Sequence, residues 1–263
     1  MKVICIGAHP DDCEIEFGGT AAKLAARGDA VKFVSVTNGE AGHHLYPGPK
    51  LVAIREAEAQ EAARRLGITA TEVLQNPDGQ LLPCIPARNE LVRQIRSWEA
   101  DAVVTHRPWD YHPDHRYTGQ LVQDSAYLVM VPHICPETPA LRRNPVFVYL
   151  EDPFHSPVPF KADIAVNIDD VWTRKLDALD AHRSQVYEWL PYLDGAQVPE
   201  DSEARRRWLD ATWSREPSVC TRAALARRYG TEAAARVRHA EAFALSEYGR
   251  QPSPEELDEM FPR

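Results

Sequence analysis

Short apolar runs alternate with helical patterns through the first half of the chain. The predicted strands are residues 3–7, 32–37, 72–74 and 101–106, and the predicted helices are residues 20–27, 51–66, 89–98 and 116–131. Apolar runs that are continuous, with no polar residue at every second position, are typical of strands buried on both faces. Regular alternation of this kind predicts the α/β class, with a Rossmann-like open, mostly parallel sheet and helices on both faces.

The second half has a different pattern. Two more strands are predicted at residues 145–150 and 162–167, and a helix is predicted from Asp169 to about Tyr187. Beyond Pro191 the chain is rich in Ala, Arg and Glu, and no strand is expected there except around Val219. We therefore divide the chain into an α/β catalytic domain, residues 1–190, and a helical C-terminal extension, residues 191–263, packed on it.

The composition excludes several classes of protein. The chain has 263 residues, 44% of them hydrophobic and 26% charged, as in ordinary globular proteins. A formal charge of −9 disfavours nucleic acid as a partner, and no apolar run approaches the ~18–20 residues required for membrane insertion. Five cysteines without a C-x-x-C pair indicate reduced thiols, and hence a cytoplasmic protein. The helical extension and the tail from Pro252 are compatible with a homo-oligomer.

The first strand ends in an unusual polar segment. Ala8-His9-Pro10-Asp11-Asp12 follows the strand at residues 3–7 and precedes a helix. In open α/β sheets, ligands bind at the carboxyl ends of the strands. A histidine and two adjacent carboxylates at this edge indicate a site for a cation.

A second polar segment has the same pattern. His112-x-x-His115 follows the strand at residues 101–106 and precedes a helix. Together, His9, Asp12 and His115 would supply two imidazoles and one carboxylate, a ligand count typical of catalytic zinc. Asp11 and His112 would then remain beside the metal as acid/base groups. Each residue alone is more often a helix cap or a surface group, and only the two segments together favour a metal site.

Four blocks of sequence resemble those of a known family. They are Ala8-His9-Pro10-Asp11-Asp12, Gly18-Gly19-Thr20, residues 37–43 and His112-Pro113-Asp114-His115. They are similar to the signature blocks of the LmbE/PIG-L family of zinc-dependent N-deacetylases. Weaker similarity continues at Arg55-x-x-Glu58, His182-x-Ser184-Gln185 and residues 240–243. The resemblance implies an enzyme that removes an N-acyl group, usually acetyl, from an N-acylglucosamine-type substrate.

The resemblance also implies the roles of the polar residues. Zinc, or in the cell Fe²⁺ or another divalent metal, would be held by His9, Asp12 and His115. Asp11 would be the general base, and His112 the general acid or oxyanion stabiliser. Amide hydrolysis needs a polarised carbonyl and an activated water, which zinc supplies, and a base to take the proton from that water.

Further residues near these segments are candidates for supporting roles. Asp114 is expected either to orient His112 and raise its pKa or to cap the helix that follows. Arg55 resembles the substrate-contacting arginine of the family, and an exposed helical arginine is the alternative.

The remaining candidates are expected to contact a small amino-sugar conjugate. His43 lies on a loop at the same edge of the sheet. His182 either reaches the pocket wall or lies in a packed helix end. Trp109 and Tyr111 flank the second segment and are the aromatic residues expected to stack on a sugar, whereas the other tryptophans are expected in the core.

Three other functions are less well supported by the sequence. A non-haem iron oxygenase uses the same two histidines and one carboxylate, but usually on a β-barrel. A non-catalytic sugar-binding module would need neither Asp11 nor His112. Nucleotide binding is disfavoured because residues 7–12 lack the G-x-G-x-x-G pattern and would set carboxylates against a pyrophosphate. Which N-acyl sugar is the substrate is left open, and residues 191–263 are the expected specificity element.

Overall fold

A computed structural model describes residues 1–263 as a seven-stranded sheet of order β3-β2-β1-β4-β5-β7-β6. The strands are β1 (Lys2–Gly7), β2 (Ala30–Thr37), β3 (Ala70–Asn76), β4 (Ala102–Thr105), β5 (Val146–Leu150), β6 (Ile164–Asn167) and β7 (Ala240–Gly249). β1 to β5 pair in parallel, and β7 is antiparallel to both β5 and β6. The predicted open, mostly parallel sheet is confirmed.

Helices cover both faces of this sheet. They are α1 (Asp12–Arg27), α2 (Gly48–Leu66), α3 (Ile85–Trp98), α4 (Pro113–Leu128), α5 (Trp172–Ala181), α6 (Leu190–Asp194), α7 (Ser202–Thr212), α8 (Val219–Tyr229), α9 (Thr231–Arg236) and α10 (Pro254–Met260). Val3 and Cys5 of β1 belong to the core that α1, α2 and α5 cover, whereas Ile4 and Ile6 belong to the core under α3 and α4. None of these helices has both the length and the apolar character needed to cross a bilayer.

The helix predicted from Asp169 to about Tyr187 is interrupted in the structure. A 3₁₀ turn, Asp169–Val171, leads into α5, and a π-helix, Ser184–Trp189, leads from there into α6. His182 has φ −79° and ψ 55°, outside the helical region, so α5 ends before it. Single-turn π segments occur often at functional sites, and this one borders the cavity described below.

One prediction for the C-terminal part is wrong. Val219 does not lie in a strand, because it opens α8, where the Ser218 side chain accepts from the backbone N–H of Thr221. The strand of this region is β7, which is inserted between β5 and β6. Its Ala- and Glu-rich sequence favours helix locally, and hydrogen bonding to a strand on each side overrides that preference. The division at residue 190 stays a prediction, and residues 191–263 share the sheet through β7.

The glycine pair in α1 allows a sharp test of packing. A Cβ on Gly19 would lie 2.8 Å from Cδ1 and Cγ2 of Ile168, whereas one on Gly18 would meet only Lys175 Cγ, at 3.5 Å, and Leu66. We expect Gly19→Ala to lower the free energy of unfolding by about 1–3 kcal/mol through overpacking. Gly18→Ala, the matched control, should raise it by about 0.5–1 kcal/mol because alanine favours helix. Urea denaturation measures both, and equal effects would contradict the packing argument.

Candidate metal centre and cavity

The two polar segments of the sequence meet at the carboxyl edge of the sheet. β1 and β4 are neighbours, with Cys5 paired to Val104, so the loops that follow them lie side by side. The ring centroids of His9 and His115 are 5.1 Å apart. Residues separated by more than 100 positions in sequence are therefore brought into one cluster.

The ligands predicted for a metal form a close triangle. His9 Nδ1 lies 3.1 Å from His115 Nε2. Asp12 contributes Oδ1 at 3.4 Å from His115 Nε2 and Oδ2 at 3.6 Å from His9 Nδ1. Four ligands at about 2.0–2.1 Å around a tetrahedral ion stand about 3.3 Å from one another. The nitrogen atoms of His9 and His115 have about this spacing, and the two oxygens of Asp12 lie within 3.6 Å of them, so these residues form a candidate site for a divalent ion.

The Asp12 carboxylate is oriented by the backbone of its own loop. The N–H groups of Ala8 and His9 donate to Oδ2 at 2.9 and 2.8 Å, which leaves Oδ1 facing His115. Burial alone would raise the pKa of Asp12, but His115 and His106 outweigh it and hold the pKa well below its usual range. The carboxylate is thus kept ionised, as a metal ligand must be.

The second ring nitrogen of each imidazole faces a carboxylate. His9 Nε2 lies 3.2 Å from Asp78 Oδ1 and 3.4 Å from Asp114 Oδ2. His115 Nδ1 lies 3.2 Å from Asp110 Oδ1. Carboxylates in this position fix the orientation of a metal-ligating imidazole and increase its basicity. Against the opposing effect of burial, the carboxylates raise the pKa of His9 well above its ordinary value, so the cluster favours positive charge.

Three members of this cluster are not among the site residues predicted from the sequence: Asp78, His106 and Asp110. His106 Nε2 lies 3.1 Å from Asp12 Oδ2, and its ring stacks on that of His115 with centroids 4.2 Å apart. His106 and Asp110 follow β4. Because ligands bind at the carboxyl ends of the strands, both could have been predicted as site residues from the sequence. Asp78 follows β3, whose short apolar run predicts a strand only weakly, so there was no reason in the sequence to place Asp78 at the site.

Asp11 and Arg55 form a buried ion pair beside the triangle. Arg55 Nη2 lies 3.1 Å from Asp11 Oδ2 and donates to Pro10 O at 3.0 Å. Burial raises the pKa of Asp11 to about 6, although the Arg55 guanidinium acts against it. Arg55 is only 2% exposed, so it is not the exposed helical arginine of the alternative reading. The guanidinium borders the cavity and holds Asp11 in place.

The carboxylate of Asp114 raises the pKa of His112 as expected in direction, but its hydrogen bonds go to other groups. It accepts from the N–H of Gly79 at 2.7 Å and of Leu81 at 3.3 Å, and it faces His9. Burial and the neighbouring imidazoles lower the pKa of His112, and Asp114 offsets this only in part, so no net increase of the pKa results. The helix-cap alternative is also wrong, because His112 is the N-cap of α4 and its Nδ1 accepts from the backbone N–H of Asp114.

A cavity of about 590 Å³ opens over the cluster. Its apolar and aromatic lining consists of Ile15, Ala41, Tyr111, Leu150, Pro153, Phe154, Trp189, Leu190, Leu193 and Trp213. Of the two aromatic residues expected to stack on a sugar, Tyr111 is in the lining and Trp109 is not. Trp189 and Trp213, expected in the core, are part of the wall. Leu193 and Trp213 belong to residues 191–263, so that segment shapes the cavity.

His43 and His182 lie behind the cavity wall and do not line it. His43 Nε2 contacts Glu188 Oε2 at 3.0 Å, which ties its loop to the π-helix. His182 is fully buried, with Nε2 3.5 Å from Glu14 Oε1. Neither contacts the cavity in this structure, and Gln185, which does line it, donates to Gly42 O at 3.1 Å.

Fold and cluster together define an α/β protein with a candidate divalent-metal centre at the edge of its sheet, and known proteins share both sequence and fold with it. Residues 4–126 match the family model described as PIG-L, GlcNAc-PI de-N-acetylase. The chain is 32% identical over 206 residues to diacetylchitobiose deacetylase of Thermococcus kodakarensis, covering 73% of this chain and 74% of the relative. It belongs to the PIG-L, or LmbE-like, family of deacetylases.

Solved structures agree on the fold. N,N′-diacetylchitobiose deacetylase from Pyrococcus horikoshii superposes with a TM-score of 0.70 at 28% identity, covering 93% of this chain and 83% of that one. GalB, the 4-carboxy-2-hydroxymuconate hydratase of Pseudomonas putida KT2440, superposes with a TM-score of 0.71 at 20% identity over 96% and 97% of the two chains. The same fold therefore carries different reactions, and function has to be argued from the site.

Proposed function

We propose that the protein is a zinc-dependent N-deacetylase that hydrolyses the acetamide of an N-acetylglucosamine-type substrate. The observation that carries the proposal is the His9–Asp12–His115 triangle with the carboxylate of Asp11 buried beside it. The relatives that share the sequence are named as deacetylases of such sugars. A cavity of about 590 Å³ is of the size that takes a small ligand.

Each polar residue has a defined task in this proposal. A bound divalent ion supplies a Lewis acid and lowers the pKa of a water molecule. Asp11 accepts the proton of the attacking water, in a position fixed by Arg55. His112, at the start of α4, donates a hydrogen bond to the developing oxyanion or a proton to the leaving nitrogen.

The rival functions are less well supported. Fe²⁺ would fit the same donor set, but membership of a deacetylase family gives an oxygenase no support. A sugar-binding module would have no use for a buried carboxylate held beside the metal ligands.

Cytoplasmic location and homo-oligomerisation stay predictions, the first supported by five free cysteines.

Metal removal tests the proposal. We expect the purified protein to release acetate from N-acetylglucosaminides and N,N′-diacetylchitobiose, to stop after dialysis against a chelator, and to recover with one equivalent of Zn²⁺. The same titration should raise the melting temperature, because an ion at 1,000 times its Kd stabilises the folded state by about 4.1 kcal/mol. Full activity without metal, or consumption of O₂ with no release of acetate, would contradict it.

A further inference from the structure

Carboxylates dominate the charge of the cavity. Its lining contains seven of them: Asp11, Asp12, Glu16, Asp78, Asp110, Glu151 and Asp152. Four stand in or next to the metal cluster. The other three, Glu16, Glu151 and Asp152, are paired with groups outside that cluster.

The arginine side chains of the lining are already neutralised. They are two, Arg55 and Arg107, and no lysine accompanies them. Arg55 pairs with Asp11 at 3.1 Å, and Arg107 Nε stands 2.6 Å from Asp152 Oδ2 while its Nη2 donates to Val158 O at 2.9 Å. Both guanidinium groups are buried, at 2% and 6% exposure. Neither is free to form the bidentate contact by which arginine recognises a carboxylate or phosphate.

Arg215 behind this wall is also occupied. It is not part of the lining, and its Nη2 lies 2.9 Å from Glu16 Oε2. Glu151 Oε1 accepts from the hydroxyls of Ser218 and Thr221, both at 2.7 Å, and forms no ion pair, although the charge of Arg215 acts on it from a greater distance. An anionic group that approached Glu151 would meet a carboxylate without an ion-pair partner, and like charges near a protein surface repel more strongly than in bulk solvent.

We infer that the site selects N-acetylglucosaminides that carry no negative charge, and accepts an ammonium group on the rest of the substrate. This inference rests on the proposed function and narrows its substrate class. Conjugates that place a carboxylate or a phosphate at this wall are disfavoured by Glu151, whereas Glu16 and Asp152 are already paired with Arg215 and Arg107. Neutral glycosides enter, and partly deacetylated oligosaccharides, which carry an ammonium group, remain acceptable.

An isosteric pair of substrates separates charge from size. The methyl N-acetylglucosaminides with a 6-carboxylate and with a 6-carboxamide differ in charge and hardly in shape. We expect kcat/KM for the carboxylate to be at least tenfold lower, mainly through KM, and the 6-amino analogue to equal or exceed the carboxamide. The difference should shrink as salt rises from 0.01 to 0.15 M, since the Debye length falls from about 30 to about 8 Å. Equal kcat/KM values for the isosteric pair would overturn the inference.

Variants that remove a charge test whether the carboxylates of the cavity lining cause this preference. Glu151→Gln should reduce the carboxamide-to-carboxylate ratio about threefold, whereas Glu247→Gln, the same change on an exposed strand residue outside the lining, should leave it unchanged. Asp152→Asn would free Arg107 and should lower KM for the carboxylate further. A ratio unchanged in both wall variants would contradict the assignment to these residues.

A binding experiment keeps this inference distinct from the proposed function. If no analogue is hydrolysed, the deacetylase proposal fails. Calorimetric titration of the zinc-loaded protein with the same carboxylate and carboxamide then decides the charge preference alone. Binding of the carboxamide at least tenfold tighter supports it, and equal binding refutes it.

Discussion

Asp11→Asn is expected to lower kcat by about 10²–10⁴-fold while the protein still binds one divalent ion, because general base catalysis contributes that much to rate. The asparagine keeps the shape of the buried side chain beside Arg55 but cannot accept a proton. Asp12 and the imidazoles of His9 and His115, which form the triangle, are unchanged. Acetate release and metal content measured on the same preparation test both parts of this expectation.

Two further variants distinguish loss of the general base from loss of the metal. Asp12→Asn should lose metal and activity together, because it removes a charged member of the triangle. Asp124→Asn, an exposed position on α4 outside the cavity lining, should change neither. A rate within threefold of the parent for Asp11→Asn would exclude Asp11 as the base. Loss of the ion in that variant would instead make it part of the metal site.

The parallel part of the sheet was predictable because its strands are buried on both faces. A continuous run such as Val3–Ile6 belongs to two cores at once, and few structures other than a central strand satisfy that. Since β1 and β4 are such strands, the meeting of His9 with His115 followed from topology, without any knowledge of side-chain contacts.

β7 was not predictable in this way. Its residues alternate small and polar side chains with only Phe243 as a large buried anchor, and their local preference is for helix. The strand forms between β5 and β6, where antiparallel pairing gives it hydrogen bonds on both sides. Such long-range pairing has no signature in a short window of sequence.

The residues that position the site residues could not be predicted for a similar reason. Arg55 reads as one of several charged residues on α2, and only the fold shows that its guanidinium turns inward to Asp11 and Gly39 O. Asp78 likewise becomes part of the site only when the loop after β3 reaches His9. Sequence spacing can identify residues that follow neighbouring strands, but it cannot show which charged side chains pair across elements.

Through Glu241, β7 also contacts the helices that cover the sheet. The Glu241 carboxylate is fully buried and accepts from the N–H of Gly19 at 2.9 Å and of Thr20 at 2.7 Å, inside α1. Lys175 of α5 donates to Glu241 Oε1 at 2.6 Å and to Ile15 O at 2.7 Å. The pair therefore connects α1, α5 and β7 below the loop that carries His9 and Asp12.

Removing one partner of this pair is expected to be costly. Lys175→Met should lower the free energy of unfolding by about 3–5 kcal/mol, because the Glu241 carboxylate would stay buried without its cation. Adding Glu241→Gln should cost less than the sum of the two single changes, since contacting residues couple by about 0.5–3 kcal/mol. The matched control is Lys23→Met, whose pair with the 65% exposed Asp170 is worth at most about 1 kcal/mol. Urea denaturation of the parent, the two single variants, the double variant and Lys23→Met measures these differences. Equal losses for Lys175→Met and Lys23→Met would show that burial of the pair does not stabilise the junction.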